Sequence, residues 1–264
     1  MEKVDRPLSE ASERRFLELY AHLLVYVNER FDVVEEIETI ADLEQSSTDD
    51  ILPLRNTLYD ESPTDLIADF VEENPAGLPE DNLDQVAAWT DFVAGEFIVV
   101  RHRANDAIFL DLAEPPKAYA VRPTRTPFEG LWDEAALPVP VSRVVLLPIE
   151  GEIIHDGWIW IKNIVFGGSI SADFDDAYEE AKHRFGVIES LPAPAEDEKS
   201  DAEELRFYMK NKRNREQYAP EIERLREKND ELARIYHQEM GKARARSLGR
   251  ELRELDLNEA YVAI

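Results

Sequence analysis

The sequence predicts an α+β protein with an N-terminal helical region, a small antiparallel β-barrel or curled sheet, and a C-terminal helical arm. Three observations carry this. Up to about residue 95 the apolar residues recur at steps of three and four. From Glu96 to Phe166 they fall in short β-rich runs punctuated by Asn-Asp, Glu-Gly and Asp-Gly pairs. Beyond Ser200 the local charge changes sign. The predicted bounds are 1–95 for the helical region, 96–190 for the β-core and its following helix, 191–200 for a linker, and 201–264 for the arm.

In the helical region, Phe16, Leu19, Tyr20, Leu23, Leu24, Val27 and Phe31 form one continuous helix face, with Ser9 as the cap. A second helix is expected over Val34 to Leu43. Ser62-Pro63-Thr64-Asp65 reads as a helix start, with a hydroxyl cap, proline in the first turn and an acid at the third position. Asn74-Pro75 ends that helix. Asn82 and Gln85 suggest another start ahead of Val86, Trp89 and Phe92, and Gly95 a stop.

At Glu96 the period becomes extended. Phe97 to Val100 and Ala107 to Leu110 flank Asn105-Asp106 as a hairpin, and residues 117–122 add a third strand. A proline-rich connection follows, whose Phe128, Leu131 and Trp132 are expected to pack over the sheet. Val144 to Ile149, Glu152 to His155 and Trp158 to Phe166 complete about six strands, a number that favours a small barrel or curled sheet. Glu150-Gly151 and Asp156-Gly157 are read as its two tight turns. Ser171 is the expected cap of a helix closed by Gly186, and residues 191–200 combine prolines with charge as a linker.

The chain holds 57 Asp plus Glu against 30 Lys plus Arg, a formal net charge of −27, and its cations are 9 Lys and 21 Arg. Abundant carboxylates beside scarce lysine fit a halophilic cytoplasm, where molar salt shortens the Debye length to roughly 3 Å and screens self-repulsion. The acidic balance argues against a chain that simply coats nucleic acid or anionic membrane. Cysteine is absent, which excludes disulfides, thiolate metal sites and cysteine nucleophiles. There is no apolar run of bilayer length and no signal-peptide core, so a cytoplasmic location without membrane partners is expected.

No HExxH, GxSxG or phosphate-loop motif occurs, and no cofactor or metal is expected. Of the five histidines, His102 and His155 lie in the β region; with Asp156 they are the candidates for acid–base chemistry, since a carboxylate beside an imidazole is a common catalytic device. The cheaper reading of Asp156-Gly157 is a hairpin turn, with His155 and Trp158 as cross-strand neighbours.

Residues 201–255 hold 14 Lys plus Arg against 12 Asp plus Glu, whereas residues 1–200 hold 16 against 43. Within the arm, Arg206, Lys210, Lys212, Arg213 and Arg215 interleave with Phe207 and Tyr208, a mixture that binds single-stranded nucleic acid by phosphate contact and stacking. A long helix is expected over Pro220 to Arg246. Its Tyr218, Ile222, Leu225, Asn229, Leu232 and Tyr236 step by four and three as coiled-coil positions do, with Asn229 where a polar residue fixes register.

The run LLPIEGEIIHDGW, following FVAGEFIVVRH, resembles strand phrases in uncharacterised prokaryotic proteins over about 70 residues. The resemblance implies a β-core and no catalytic role. The function expected from all this is a non-catalytic interaction or regulatory protein of a halophilic cytoplasm, whose arm mediates self-association as a homodimer or docking on a protein partner. The alternatives are nucleic-acid binding through the basic arm and an enzyme with its site in the β-core.

Overall fold

In the computed structural model, which describes residues 8–61, 65–132, 134–162, 164, 166–193, 201–228 and 230–247, the chain divides into two units, Met1–Ala195 and Glu196–Ile264. The first opens with α1 (Glu10–Phe31), where the Ser9 hydroxyl accepts the Ser12 amide at 3.1 Å. The predicted stripe is buried from Phe16 to Val27; Phe31, at the last turn, is 44% exposed.

The next helix is shorter than its periodicity suggests. Asn28 binds the backbone of Val34 and Ile37 and holds that stretch as a loop, so α2 (Ile40–Gln45) starts only at the reciprocal cap of Thr39 and Asp42. Helix α3 (Thr48–Asn56) continues into a π-helical turn, Thr57–Glu61. Asp65 caps α4 (Leu66–Glu73), while Ser62, Pro63 and Thr64 lie outside the described residues. Helix α5 (Glu80–Ala87) begins after Pro79 rather than at Asn82, because the expected capping side chains serve other partners. Arg15 donates to Asn82, and Gln85 donates to the Pro148 carbonyl at 2.9 Å.

Among the described residues seven strands follow: β1 (Val93–His102), β2 (Ala107–Asp111), β3 (Ala118–Arg122), β4 (Val139–Ile149), β5 (Glu152–His155), β6 (Trp160–Ile161) and β7 (Val187–Ile188). Their order β1-β2-β3-β5-β4, with β4 returning to pair β1, closes a five-stranded barrel. The fold is α+β as its sequence predicts. The barrel pairings are antiparallel except β3 with β5, which are parallel. Register breaks along β1 between Gly95 and Phe97 against β4, and between Val99 and Arg101 against β2, coil this strand enough to belong to both sides of the closure. Gly95, the expected helix stop, therefore sits inside β1 beside a bulge.

Glu150 and Gly151, with φ of +50 and +82, form the expected two-residue turn between β4 and β5. Asp156-Gly157 does not form the second one. The chain after β5 leaves the ladder and rejoins the same edge of β4 further along, where Trp160 pairs with Ser142 and Ile161 with Val141, so among the described residues only Trp160–Ile161 of the expected last strand is extended.

Phe97, Val99, Phe109, Tyr119, Val141 and Leu146 fill the barrel, and the β3–β4 connection plugs it with Phe128 and Trp132. Leu131 stays 44% exposed. On the outer face of β4 and β5, Val145, Leu147, Ile149 and Ile154 share one core with the N-terminal helices. Ile98, Ile108 and Leu110 on the outer face of β1 and β2 are covered by Tyr178 and Ala181 of α6 (Gly168–Phe185). That helix starts after Gly167 rather than at Ser171, whose hydroxyl bonds back to the Gly167 carbonyl, and Gly186 at φ +74 ends it.

The second unit comprises α7 (Asp201–Tyr208), α8 (Lys212–Gln217), α9 (Ala219–Lys228) and α10 (Asp230–Ser247). Helices α9 and α10 cover the span expected as one long helix, Pro220 to Arg246, on either side of residue 229, and their Leu225, Leu232 and Ile235 meet Leu205 and Tyr208 in one core. Asn229 lies outside the described residues. Among the described residues, no helix is long and apolar enough to cross a membrane.

Candidate functional site

The helical layer and the barrel are joined by a buried ion pair that the sequence does not announce. Helix α3 and the π-turn after it put Arg55 and Tyr59 four residues apart on one face, with the guanidinium 5.7 Å from the Tyr59 ring centre. Arg55 Nε donates to Asp156 Oδ2 at 2.5 Å, with the two side chains 2% and 0% exposed. Its Nη2 donates to the Arg143 carbonyl at 2.8 Å. Arg143 sits opposite the β1 register break at φ +54, a left-handed conformation uncommon for a residue with a side chain.

Asp156 also accepts the Trp158 amide on Oδ1 and, at 3.5 Å, the Tyr20 hydroxyl on Oδ2. Burial pushes its carboxyl up to about 6, against the opposing pull of Arg55. Burial likewise raises the phenols of Tyr20 and Tyr59. The indole of Trp160 lies 5.9 Å from Arg55 and 5.6 Å from Arg143. This cluster fixes the loop after β5 against α1 and α3.

The neighbouring His155 points the other way. Strand alternation turns Ile153 and His155 toward the barrel interior and Ile154 and Asp156 toward the helices. His155 packs 5.7 Å from the Phe128 ring, and its Nδ1 accepts the Gly157 amide at 3.1 Å. Burial lowers its pKa to about 4, so the ring is neutral at physiological pH. His102 stacks on Trp132 at 6.5 Å. The two histidines thus meet the same plug, while Asp156 lies on the opposite side of the β5 backbone. The three do not converge on one cavity. Among the described residues no group of three or more His, Asp or Glu is arranged to hold a metal.

Beside the Asp156 loop lies a groove of about 1000 Å³. Its apolar lining comes from Leu17, Tyr20, Ala21 and Leu24 of α1, Ile51 of α3 and Trp158. Carboxylates of Glu10, Glu13, Glu18 and Glu44 accompany it, with Arg14 and Arg125 as the cations, and Arg125 is held by Glu13 at 2.7 Å.

In the second unit, Arg206, Lys210, Lys212 and Arg213 are exposed, and Arg215 donates to the Met209 carbonyl. Their aromatic companions are turned inward: Tyr208 is buried and stacks on Tyr218 at 4.6 Å, and Phe207 leans on both. Tyr218, Ile222, Leu225 and Leu232, expected as a self-association seam, are buried in this unit's own core, with Tyr236 packed at its edge.

Comparisons with family models, curated proteins and solved structures return no match. The outer face of β1–β3 is covered by α6, whose Asp175 pairs with Arg101 at 3.6 Å and Glu180 with Arg184 at 3.0 Å.

Proposed function

We propose that this chain is a non-catalytic interaction or regulatory protein of a halophilic cytoplasm, with the C-terminal helical unit mediating self-association or docking on a protein partner. One observation carries this reading. Among its described residues the unit buries Leu205, Tyr208, Tyr218, Ile222, Leu225, Leu232 and Ile235 in its own core and presents Arg206, Lys210, Lys212 and Arg213 outward, in a chain whose first 200 residues hold 43 acids. These four cations, and not the expected coiled-coil residues, are what this stretch exposes for contact. At molar salt only direct charge contacts survive screening, so the cations must touch carboxylates to matter.

The test is light scattering in molar KCl on the full chain and on a variant with all four cations changed to Glu. A dimer mass in the parent and a monomer mass in the variant is the expected result. Equal masses, with no protein partner lost by the variant, overturn the proposal.

Nucleic-acid binding draws on the same cations and is the second reading. Its stacking half is weakened by the inward placement of Phe207 and Tyr208. Co-purifying nucleic acid that disappears in the four-residue variant would put that reading first. The enzyme reading loses its proposed site because His155 and Asp156 face opposite sides of β5.

A further inference from the structure

We propose that the groove between α1 and the Asp156–Trp158 loop is a docking site for a cationic amphipathic helix of a partner protein. This site lies wholly in the first unit and is separate from the cationic surface of the second. Three observations carry it.

The first is shape. Helix α1 lines the groove from Glu10 to Leu24, about 21 Å of axis at 1.5 Å per residue. That is long for a compact small ligand and matches about four turns of a helix.

The second is the pattern of the floor. Leu17, Tyr20, Ala21 and Leu24 stand at i, i+3, i+4 and i+7, the spacing a helix uses to present a stripe to another helix. Tyr20 and Leu24 double as core residues, but Leu17 lies one position off the core stripe and is 45% exposed. Nearly half of this leucine's surface is left open. Across from α1, Ile51 and Trp158 extend the apolar lining, and the Trp158 backbone is held there by the hydrogen bond its N–H donates to the buried Asp156 carboxylate.

The third is charge. Four glutamates border this lining against two arginines, and Glu13 already holds one of those. An acidic helix would meet repulsion at Glu18 and Glu44. A helix with one apolar stripe flanked by Lys or Arg would fill the floor and place its cations on these carboxylates. In molar salt the apolar contacts dominate and the rim supplies selectivity.

The probe is a fluorescein-labelled Leu/Lys amphipathic peptide of about 18 residues, long enough to be helical alone. It is titrated by fluorescence polarisation against the full chain in molar KCl, beside a scrambled peptide of equal composition and a Leu/Glu counterpart. The expected result is binding of the first peptide, with the other two weaker by about tenfold or more. Leu17→Asp should weaken it by a similar factor. Glu18→Lys with Glu44→Lys should weaken it several-fold and improve the Leu/Glu peptide. Both variants alter exposed side chains, and far-UV circular dichroism confirms that they fold.

Equal binding of the scrambled peptide, or undiminished binding by Leu17→Asp, overturns the proposal. So does a change in the oligomeric mass of Leu17→Asp without peptide, because the groove would then be a face between copies of this chain. The four-cation variant of the second unit should bind the peptide like the parent, so failure of the arm proposal and failure of this one are read independently.

Discussion

Replacing Arg55 by Met keeps an unbranched stem in the buried position and removes every donor. Asp156, 0% exposed at its side chain, would then retain only the Trp158 amide at 3.3 Å and the Tyr20 hydroxyl at 3.5 Å, and the Arg143 carbonyl would lose its partner. Removing one member of a buried pair costs about 3–5 kcal/mol, a large part of the 5–15 kcal/mol typical of a domain. The double variant Arg55→Met with Asp156→Leu removes both charges and should recover most of that loss. The pH dependence supplies a second check. The native carboxyl titrates at about 6, above the ordinary 3.8, so between those values the folded state binds more protons than the unfolded one. Stability contributed by this group therefore falls as pH rises through the window, by about 3 kcal/mol at 1.36 kcal/mol per unit. Without Arg55 the neutral carboxyl is favoured still more, so the deficit of the single variant should be largest near pH 8 and shrink toward pH 5. Urea unfolding followed by tryptophan emission, in constant molar KCl at both pH values, measures this. A deficit under about 1 kcal/mol at pH 8, or a double variant as unstable as the single one, would refute the role given to the pair.

His155 has the opposite sign. Its pKa is lowered from 6.5 to about 4, so the unfolded state binds the proton first and about 3 kcal/mol should be lost as pH falls across that interval; His155→Phe should flatten this slope in urea midpoints taken from pH 7 to pH 4. Phe128→Ala empties the barrel plug and should cost about 3–5 kcal/mol, with loss of near-ultraviolet dichroism from Trp132, whose ring stacks on Phe128 at 5.5 Å. Gly151→Ala meets no atom within 4 Å of its new methyl, so its penalty should be the φ of +82 alone, about 1 kcal/mol by thermal melting. Leu225→Ala should cost about 2–5 kcal/mol in the second unit while leaving the tryptophan-reported transition of the first unmoved, since all four tryptophans lie before residue 195.

Where a signal is local, the chain could be read directly. The Ser9 cap, the core stripe of α1, the Glu150-Gly151 turn and the end of α6 at Gly186 each depend on residues within a few positions of one another, and each stands where its pattern places it. Asp156-Gly157 carries the same kind of signal and does not make a hairpin, because its deciding partner is 101 residues away in sequence. An Asp-Gly pair permits a tight turn but does not require one. Once Arg55 claims the carboxylate, the backbone after it bulges out and then rejoins the same edge of β4, and His155 and Trp158 do not become cross-strand neighbours.

The candidate site was hidden for a related reason. Arg55 reads as one cation in the apolar run ILPLRNTLY, and a buried arginine differs from an exposed one only through the distant carboxylate that neutralises it. Leu17 carries no signal of its own in the sequence, because a single leucine beside a core stripe is ordinary in a surface helix. What changes its meaning is the wall opposite, built by Ile51 and by Trp158 on a loop that the Arg55–Asp156 pair holds in place. The ion pair and the groove are therefore linked. Loosening Arg55 should weaken peptide binding at a site it does not line, and Arg55→Met assayed with the Leu/Lys peptide under conditions where it remains folded should show a loss approaching that of Leu17→Asp. Parent-like affinity in that variant would mean that the loop after β5 is held by its own backbone, and that the pair contributes to stability alone.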